Sequence, residues 1–148
     1  MAIKPPEKLI LFNLDNQPFG LDVTVVDEIL SQVTARHVPH AAPYLTGVFD
    51  FRGKIMPLLD LRVLLSLANS SSTYNVIVVN EDDFFLGLIV DKVLAVITDS
   101  EQIKHLQHKT AENPFIHCFV QYKEQEVAIL DLAQLVAIIA EEEKTHVS

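Results

Sequence analysis

LTGVFDFRGKIMPLLDLRVLL, residues 45–65, decides how this chain is read. Val48, Phe49 and Phe51 lead into Arg52-Gly53-Lys54, and Ile55, Met56, Leu58 and Leu59 lead out. The flanks have the composition of strands and the middle that of a tight connection, with Gly53 the one residue free to take a positive φ, so a β-hairpin is predicted. Asp60 then stands where an N-cap belongs, ahead of Leu61, Leu64 and Leu65. Its carboxylate can accept backbone N–H groups that the first turn of a helix leaves without partners, so the second strand is expected to run straight into a helical turn. No catalytic set is visible here, which points to a binding surface.

Composition sets the outer limits. A chain of 148 residues is one domain, or two very small ones sharing a core. Its 49% hydrophobic content and mean hydropathy of +0.27 imply buried strands, sizeable interaction surfaces, or both. A formal charge of -9, with 11 Lys and Arg spread thinly, opposes binding to a phosphate backbone, and no nucleic-acid partner is expected. Cys118 is the single cysteine, so no intrachain disulfide is available and a reducing compartment fits. The opening MAIKPPEK lacks an apolar leader, and the apolar run at 135–140 is too short for a bilayer, so a cytoplasmic protein with no membrane insertion is expected.

Taken in order, residues 1–8 read as a disordered lead-in, and 9–15 with 17–21 as a hairpin around Asp15-Asn16. Val23, Val26, Ile29 and Leu30 fall on one helical face behind Asp22 as a cap, which predicts a short amphipathic helix over 23–30. A strand over 33–38 is stopped by Pro39 and Pro43, and 69–73 (NSSST) is a polar linker. Strands are expected at 74–80, 84–90 and 93–97, followed by a short helix over 99–108 capped by Asp99 or Ser100, and a loop over 109–114. A last hairpin joins 115–122 to 126–130. Asp131 opens a terminal helix with Leu132, Leu135, Val136 and Ile139 on one face and Gln134 completing a capping box, and a charged tail at 141–148 is expected to fray.

The opening stretch recurs. A shift of 71 residues lays 45–65 over 116–136 without a gap, with Leu59-Asp60-Leu61 on Leu130-Asp131-Leu132 and Leu64 on Leu135. A shift of 67 lays the first hairpin, with Gly20, over 76–90, with Gly87. Chance recurrence of apolar residues is the competing explanation. Duplication implies two similar β-subdomains, each marginal alone at about 60 residues and therefore sharing a core. Their approximate extents are 16–68 and 74–132 within a domain at 9–140, with terminal segments free to cross over. Arg52-Gly53 is answered by Lys123-Glu124 and Arg62 by Ala133, so a function on this surface falls on the first copy.

Candidate chemistry is sparse. His105 and His108 sit three apart on the expected helix, a spacing that can serve one metal, and a small metal-dependent enzyme is the rival reading from another class. No third ligand accompanies them, and exposed histidines are the simpler account; the same holds for His37 and His40. His117 and Cys118 are adjacent on a strand and so point to opposite faces, which separates a would-be nucleophile from its base and leaves Cys118 as a core residue. Asp60, Asp91 and Asp131 each end a strand run, and for Asp60 and Asp131 capping explains the carboxylate more simply than acid–base work. No phosphate-binding glycine loop, nucleophile elbow or CxxC pair is present, and neither cofactor nor metal is expected. Arg52 at the hairpin tip serves equally as an anion clamp or a solvated side chain.

Pro43-x-x-x-Gly47-Val48-x-x-x-Arg52-Gly53 followed by Ile55-x-Pro57-x-x-Asp60-Leu61-Arg62 is similar to the signature of CheW-type chemotaxis adaptor domains. Supporting pieces are Phe19-Gly20-Leu21-Asp22, Val26-x-Glu28-Ile29 and Gly87-Leu88-Ile89-Val90-Asp91, and the resemblance runs over 9–136. It implies a mainly β fold of two SH3-like five-stranded β-barrel subdomains on a common core, with short helices and a C-terminal helix. It also implies a non-catalytic scaffold joining the cytoplasmic tips of methyl-accepting chemoreceptors to the regulatory domain of a CheA-type histidine kinase. By motif position, Val26, Glu28, Ile29, Gly47, Arg52 and Gly53 match partner-contact positions, whereas Gly20, Asp60, Arg62, Asp91 and Asp131 are expected to be structural. Asp50 and Phe51 depart from the family's Asn and Leu, and 105–112 matches no family pattern, so flagellar chemotaxis and a pilus-linked or other chemosensory system both remain as pathways.

Overall fold

The computed structural model describes the backbone of residues 6–67 and 74–147, and the side chains of 6–67 and 75–141. Residues 1–5 of the expected lead-in and the expected linker at 69–73 lie outside the described residues. Pro6 is buried and the Lys8 carbonyl accepts the Val23 N–H at 3.1 Å, so ordered structure starts before Leu9.

Four hairpins form the frame: β1 (Leu9–Leu14) with β2 (Gln17–Asp22), β4 (Leu45–Phe51) with β5 (Lys54–Asp60), β6 (Tyr74–Glu81) with β7 (Phe84–Val90), and β10 (Ile116–Tyr122) with β11 (Gln125–Leu130). Each turns through two residues of positive φ: Asp15-Asn16, Arg52-Gly53, Asp82-Asp83 and Lys123-Glu124. That is the turn whose twist matches the right-handed twist of the flanking strands. Arg52 thus shares the left-handed conformation with Gly53, and three of the turns manage without glycine.

The pairing registers carry the internal repeat. Phe49 faces Met56 as Val120 faces Val127, and Leu45 faces Leu59 as Ile116 faces Leu130, each hairpin with a bulge after its first pair. Gly20 pairs with Ile129 in parallel as Gly87 pairs with Leu58. The remaining strands are exchanged between the copies. β3 (Val26–Val33) follows β2 in the chain but pairs with β6, whereas β8 (Lys92–Ile97) follows β7 and pairs with β1. One sheet runs β3-β6-β7-β5-β4 and the other β8-β1-β2-β11-β10-β9, where β9 is the short strand Lys104–His105. The first sheet therefore spans 26–90 and the second joins 9–22 to 92–130, so neither coincides with 16–68 or 74–132.

Four elements differ from the sequence reading. The helix expected over 23–30 is a single 3-10 turn, Val23–Val25, capped by the Asp22 side chain accepting Thr24 N–H at 2.9 Å, followed by β3. β3 alternates between half-buried and exposed residues from Val26 to Ser31, but Glu28 lies on the half-buried side and Ile29 on the exposed side, and this produces the apolar spacing that imitates a helix. The helix expected over 99–108 is likewise one 3-10 turn, Ser100–Gln102, capped by Asp99, after which the chain enters β9 and pairs with β10. The strand expected over 33–38 reduces to a bridge in which Arg36 and Val48 exchange N–H···O bonds of 2.8 and 2.9 Å. The tail expected to fray from 141 continues α2 (Leu132–Val147). A four-residue α1 (Leu61–Leu64) closes β5 as expected. Among the described residues no helix is long and apolar enough to cross a membrane.

Strand alternation sorts the core into three parts. Leu9, Leu11, Val120, Val127 and Ile129 fill one barrel, and Phe49, Met56, Leu58, Val76 and Val78 fill the other. Their alternate neighbours, Ile10, Phe12 and Leu14, Leu59, Ile77 and Val79, and Ala128 and Leu130, meet between the sheets, where Leu132, Leu135 and Ile139 of α2 join them. Each copy also has a glycine under its neighbour: a Cβ at Gly20 would lie 2.9 Å from Ile129 Cδ1, and one at Gly87 2.5 Å from the Phe49 ring. Gly47 is tighter still, since a Cβ there would stand 2.1 Å from the Arg36 carbonyl oxygen, which is backbone and cannot swing away. Gly47→Ala is expected to lower stability by about 1–3 kcal/mol through overpacking, read as a lower urea midpoint with unchanged m-value.

Candidate functional site

Arg52 at the β4–β5 tip reaches across to the end strand β3. Its Nη2 donates to Glu28 Oε2 at 3.0 Å and its Nη1 lies 3.6 Å from Asp27 Oδ2, while the guanidinium carbon sits 4.8 Å from the centre of the Phe51 ring. The turn under it is fixed by Asp50, whose Oδ1 accepts Gly53 N–H at 3.0 Å. Arg52 keeps 65% of its side chain exposed, so this is a surface cluster rather than a buried ion pair. Ile29 on β3 is 44% exposed and Ile55 on β5 is 54% exposed, adding apolar area outside the barrel.

Of the six expected contact positions, Glu28, Arg52 and Gly53 come together, with Ile29 on the same strand as Glu28. Val26 is half-buried against the shared core, and Gly47 is buried at the Arg36 contact. Asp27 and Ile55 belong to this surface and were missed. An acid beside Glu28 and an isoleucine opposite Asp50 across the hairpin were the available signals.

Three of the expected structural residues, Asp60, Arg62 and Asp91, form a network around a buried guanidinium. Asp60 (3% exposed) caps α1 by accepting Arg62 N–H at 3.0 Å, and takes Arg62 Nε on Oδ1 at 3.2 Å and Nη2 on Oδ2 at 3.4 Å. Arg62 is 1% exposed, and its Nη1 donates to Asp91 Oδ1 at 2.9 Å. Asp91 lies between β7 and β8; its Oδ2 accepts Asp15 N–H at 2.6 Å, its own N–H donates to the Asn13 carbonyl at 3.0 Å, and its carbonyl accepts Asn75 Nδ2 at 2.8 Å. A planar guanidinium answered by two carboxylates thus joins α1, the exit from β7, the β1–β2 turn and β6. In the second copy Asp131 caps α2 by accepting Gln134 N–H at 3.2 Å, and His117 Nδ1 stands 3.9 Å from its Oδ2. Removing one partner of a buried pair strands the other charge, so Arg62→Ala is expected to cost about 3–5 kcal/mol in urea unfolding, and Arg62→Lys to recover little because an ammonium cannot reproduce the fork.

The histidines do not gather. His105 is on β9 and His108 lies beyond it, so the helical spacing that would have placed both on one metal is not formed. Among the described residues no group of three or more His, Cys, Asp or Glu side chains is placed to hold a metal ion. Cys118 points into its barrel beside Val120 and Ile129, and burial pushes its thiol from 9.0 up to about 11. At pH 8 the folded protein should therefore resist a thiol reagent that labels it rapidly in urea. The raised value also sets a sign: stability from the neutral thiol is complete below pH 9.0 and is lost as pH rises toward about 11, because the unfolded chain ionises first. Unfolding titrations of the wild type and Cys118→Ala should diverge in slope within that window.

Residues 8–140 match the family described as CheW-like domain. The chain is 35% identical over 101 residues to the chemotaxis protein CheW of Bacillus subtilis (strain 168), covering 67% of this chain and 65% of that protein. It is 33% identical over 113 residues to the protein PilI of Pseudomonas aeruginosa, covering 72% and 62% respectively. Its fold matches the crystal structure of the scaffolding protein TtCheW from Thermoanaerobacter tengcongensis with a TM-score of 0.75 at 25% identity, over 86% of this chain and 90% of that one. The aligned segments span a little under two thirds of these two curated relatives' own lengths.

Proposed function

The chain belongs to the family of CheW-like domains, and on that premise we propose that it is a non-catalytic adaptor of the bacterial cytoplasm. It couples the cytoplasmic tips of methyl-accepting chemoreceptors to the regulatory domain of a CheA-type histidine kinase. The observation that carries this reading is the family match over 8–140, supported by the likeness to a scaffolding protein across nearly all of both chains. The fate of the carboxylates agrees with it, since Asp60 and Asp91 are engaged with Arg62 and Asp131 caps a helix. Adaptor work in a pilus-linked system is the second reading, favoured by the 33% identity to PilI.

The β4–β5 tip and β3 supply the contact surface. Asn16, Asp83 and Glu124 occupy the turn position that Gly53 occupies here, so the turn itself tolerates a side chain. No atom comes within 4 Å of a Cβ placed at Gly53, and leaving that position bare opens the tip to a partner backbone. Arg52 orients the partner, while Glu28 and Ile29 provide a polar and an apolar contact. A patch burying on the order of 800 Å² per side or less suffices, because membership of an array raises effective concentration.

Arg52→Glu is expected to weaken binding to a cognate kinase regulatory domain or a receptor-tip fragment by about tenfold or more, since reversing the charge sets it against Asp27 and Glu28 as well as the partner. Its unfolding free energy should change by no more than about 1 kcal/mol, the scale of an exposed ion pair. Calorimetric titration against both fragments tests this, and wild-type affinity for both would remove Arg52 from the interface.

A further inference from the structure

Each of the four hairpin turns is entered through the same position, two residues before its first left-handed residue, and three of the four place a neutral amide there. These are Asn13, Asn80 and Gln121, ahead of Asp15-Asn16, Asp82-Asp83 and Lys123-Glu124. Ahead of Arg52-Gly53 the position is Asp50. The bond that Asp50 makes to its turn does not call for a charge. Its Oδ1 accepts Gly53 N–H at 3.0 Å, and the amide oxygen of an asparagine is an acceptor of the same reach. Its other oxygen, Oδ2, has no hydrogen-bond or ion-pair partner among the described residues, and the side chain is exposed. The nearby cations are committed elsewhere: Arg52 to Glu28, Asp27 and the Phe51 ring, and Lys54 to the Phe85 ring at 5.4 Å. Asp27 and Glu28 thus share one guanidinium, and the carboxylate at this tip without a cation is Asp50.

We propose that Asp50 selects the protein partner of this contact surface by requiring a lysine or arginine opposite it. The inference deepens the adaptor reading and rests on it. Asp50 stands across the hairpin from the exposed Ile55 and beside the turn that bears Arg52, so its charge lies within the surface already described. An incoming cation can take the free oxygen without displacing Gly53 N–H from the other, and the turn keeps its shape while the ion pair forms. With one oxygen free, a lysine ammonium serves as well as the fork of an arginine. A partner with a carboxylate at that place meets like charge, and one with an apolar side chain strips water from an unpaired ion; both are disfavoured. Asp50 and Arg52 present opposite charges from one turn, which fixes the orientation of a partner carrying the complementary pair.

The test measures association rates of the full chain with a cognate kinase regulatory domain and with a receptor-tip fragment at several salt concentrations. Asp50→Asn keeps an acceptor for Gly53 N–H and removes the charge. For at least one of the two fragments it should lower the association rate constant about three- to tenfold at low salt and flatten its salt dependence, with thermal unfolding unchanged. Asp50→Glu keeps the charge and should retain the salt dependence of the wild type, whereas Asp50→Lys should weaken affinity for that fragment about tenfold or more. Wild-type rates and salt dependence in Asp50→Asn against both fragments would overturn the role of Asp50 and leave the adaptor reading intact. A loss that Asp50→Glu shares, accompanied by a lower unfolding temperature, would assign Asp50 to the turn alone and likewise sink the proposal. Failure of the wild type to bind either fragment would remove the adaptor reading together with it.

Discussion

A guanidinium at 1% exposure has to have its charge answered inside the protein, and the way Arg62 is answered organises the rest of this fold. Burying an ion costs several kcal/mol in lost hydration, and only a well-formed set of partners offsets it. Asp60 supplies two oxygens to one side of the fork and Asp91 one oxygen to the other. Those carboxylates are far apart in sequence, Asp60 at the end of β5 and Asp91 at the exit from β7. The ion network can therefore form only when α1, the β7–β8 junction and the β1–β2 turn are all in place. It ties α1 to the β7–β8 junction, and Asp91 in turn ties that junction to the β1–β2 turn.

The exchange of strands between the sheets makes the two barrels inseparable. β1 and β2 are continuous with β3, which belongs to the other sheet, and β7 is continuous with β8, which returns the chain to the first. Each barrel alone would bury too little surface to be stable, whereas the cluster running from Ile10 through Leu88 to Ile139 serves both. Strands at the centre of the assembly, β1, β6, β7 and β11, consequently face a barrel interior on one side and the shared core on the other. The high hydrophobic content of the chain follows from this double burial.

The four hairpins were legible because two-residue turns punctuate apolar runs of strand length, and the duplication was legible because pairing register is inherited with the pattern. Which strands exchange was not legible, although terminal segments were left free to cross over. Swapped and unswapped arrangements place the same residues against the same kinds of neighbour, so apolar periodicity is identical in both. The contacts of Asp91 with the Asp15 N–H and the Asn13 carbonyl, which no local pattern encodes, tie the β7–β8 junction to β1. β3 was lost to a different cause: polar Glu28 on its half-buried side and apolar Ile29 on its exposed side hide the period of two, while the β-branched residues Val26, Ile29 and Val33 were the signal favouring a strand. At the candidate site, Glu28 and Arg52 were placed by their match to a family signature. Their direct contact depended on how the end strand β3 lies beside the hairpin tip, and that is set by tertiary packing.

The two copies have diverged at the positions that their common scaffold leaves open. Hairpin register, the glycine beneath the neighbouring strand and the capping aspartate recur, because each is fixed by packing that both barrels require. The turn tips are under no such constraint: Arg52-Gly53 and Lys123-Glu124 adopt the same left-handed conformation with opposite balances of charge and bulk. A side chain at the second turn position is compatible with the fold, as Glu124 demonstrates, and no packing contact requires Gly53, whose φ of 80° suits glycine. Arg52 is likewise not needed for packing, being held only by exposed acids and the face of Phe51. What distinguishes this tip from its three counterparts is therefore its outward surface, a cation beside an uncovered backbone.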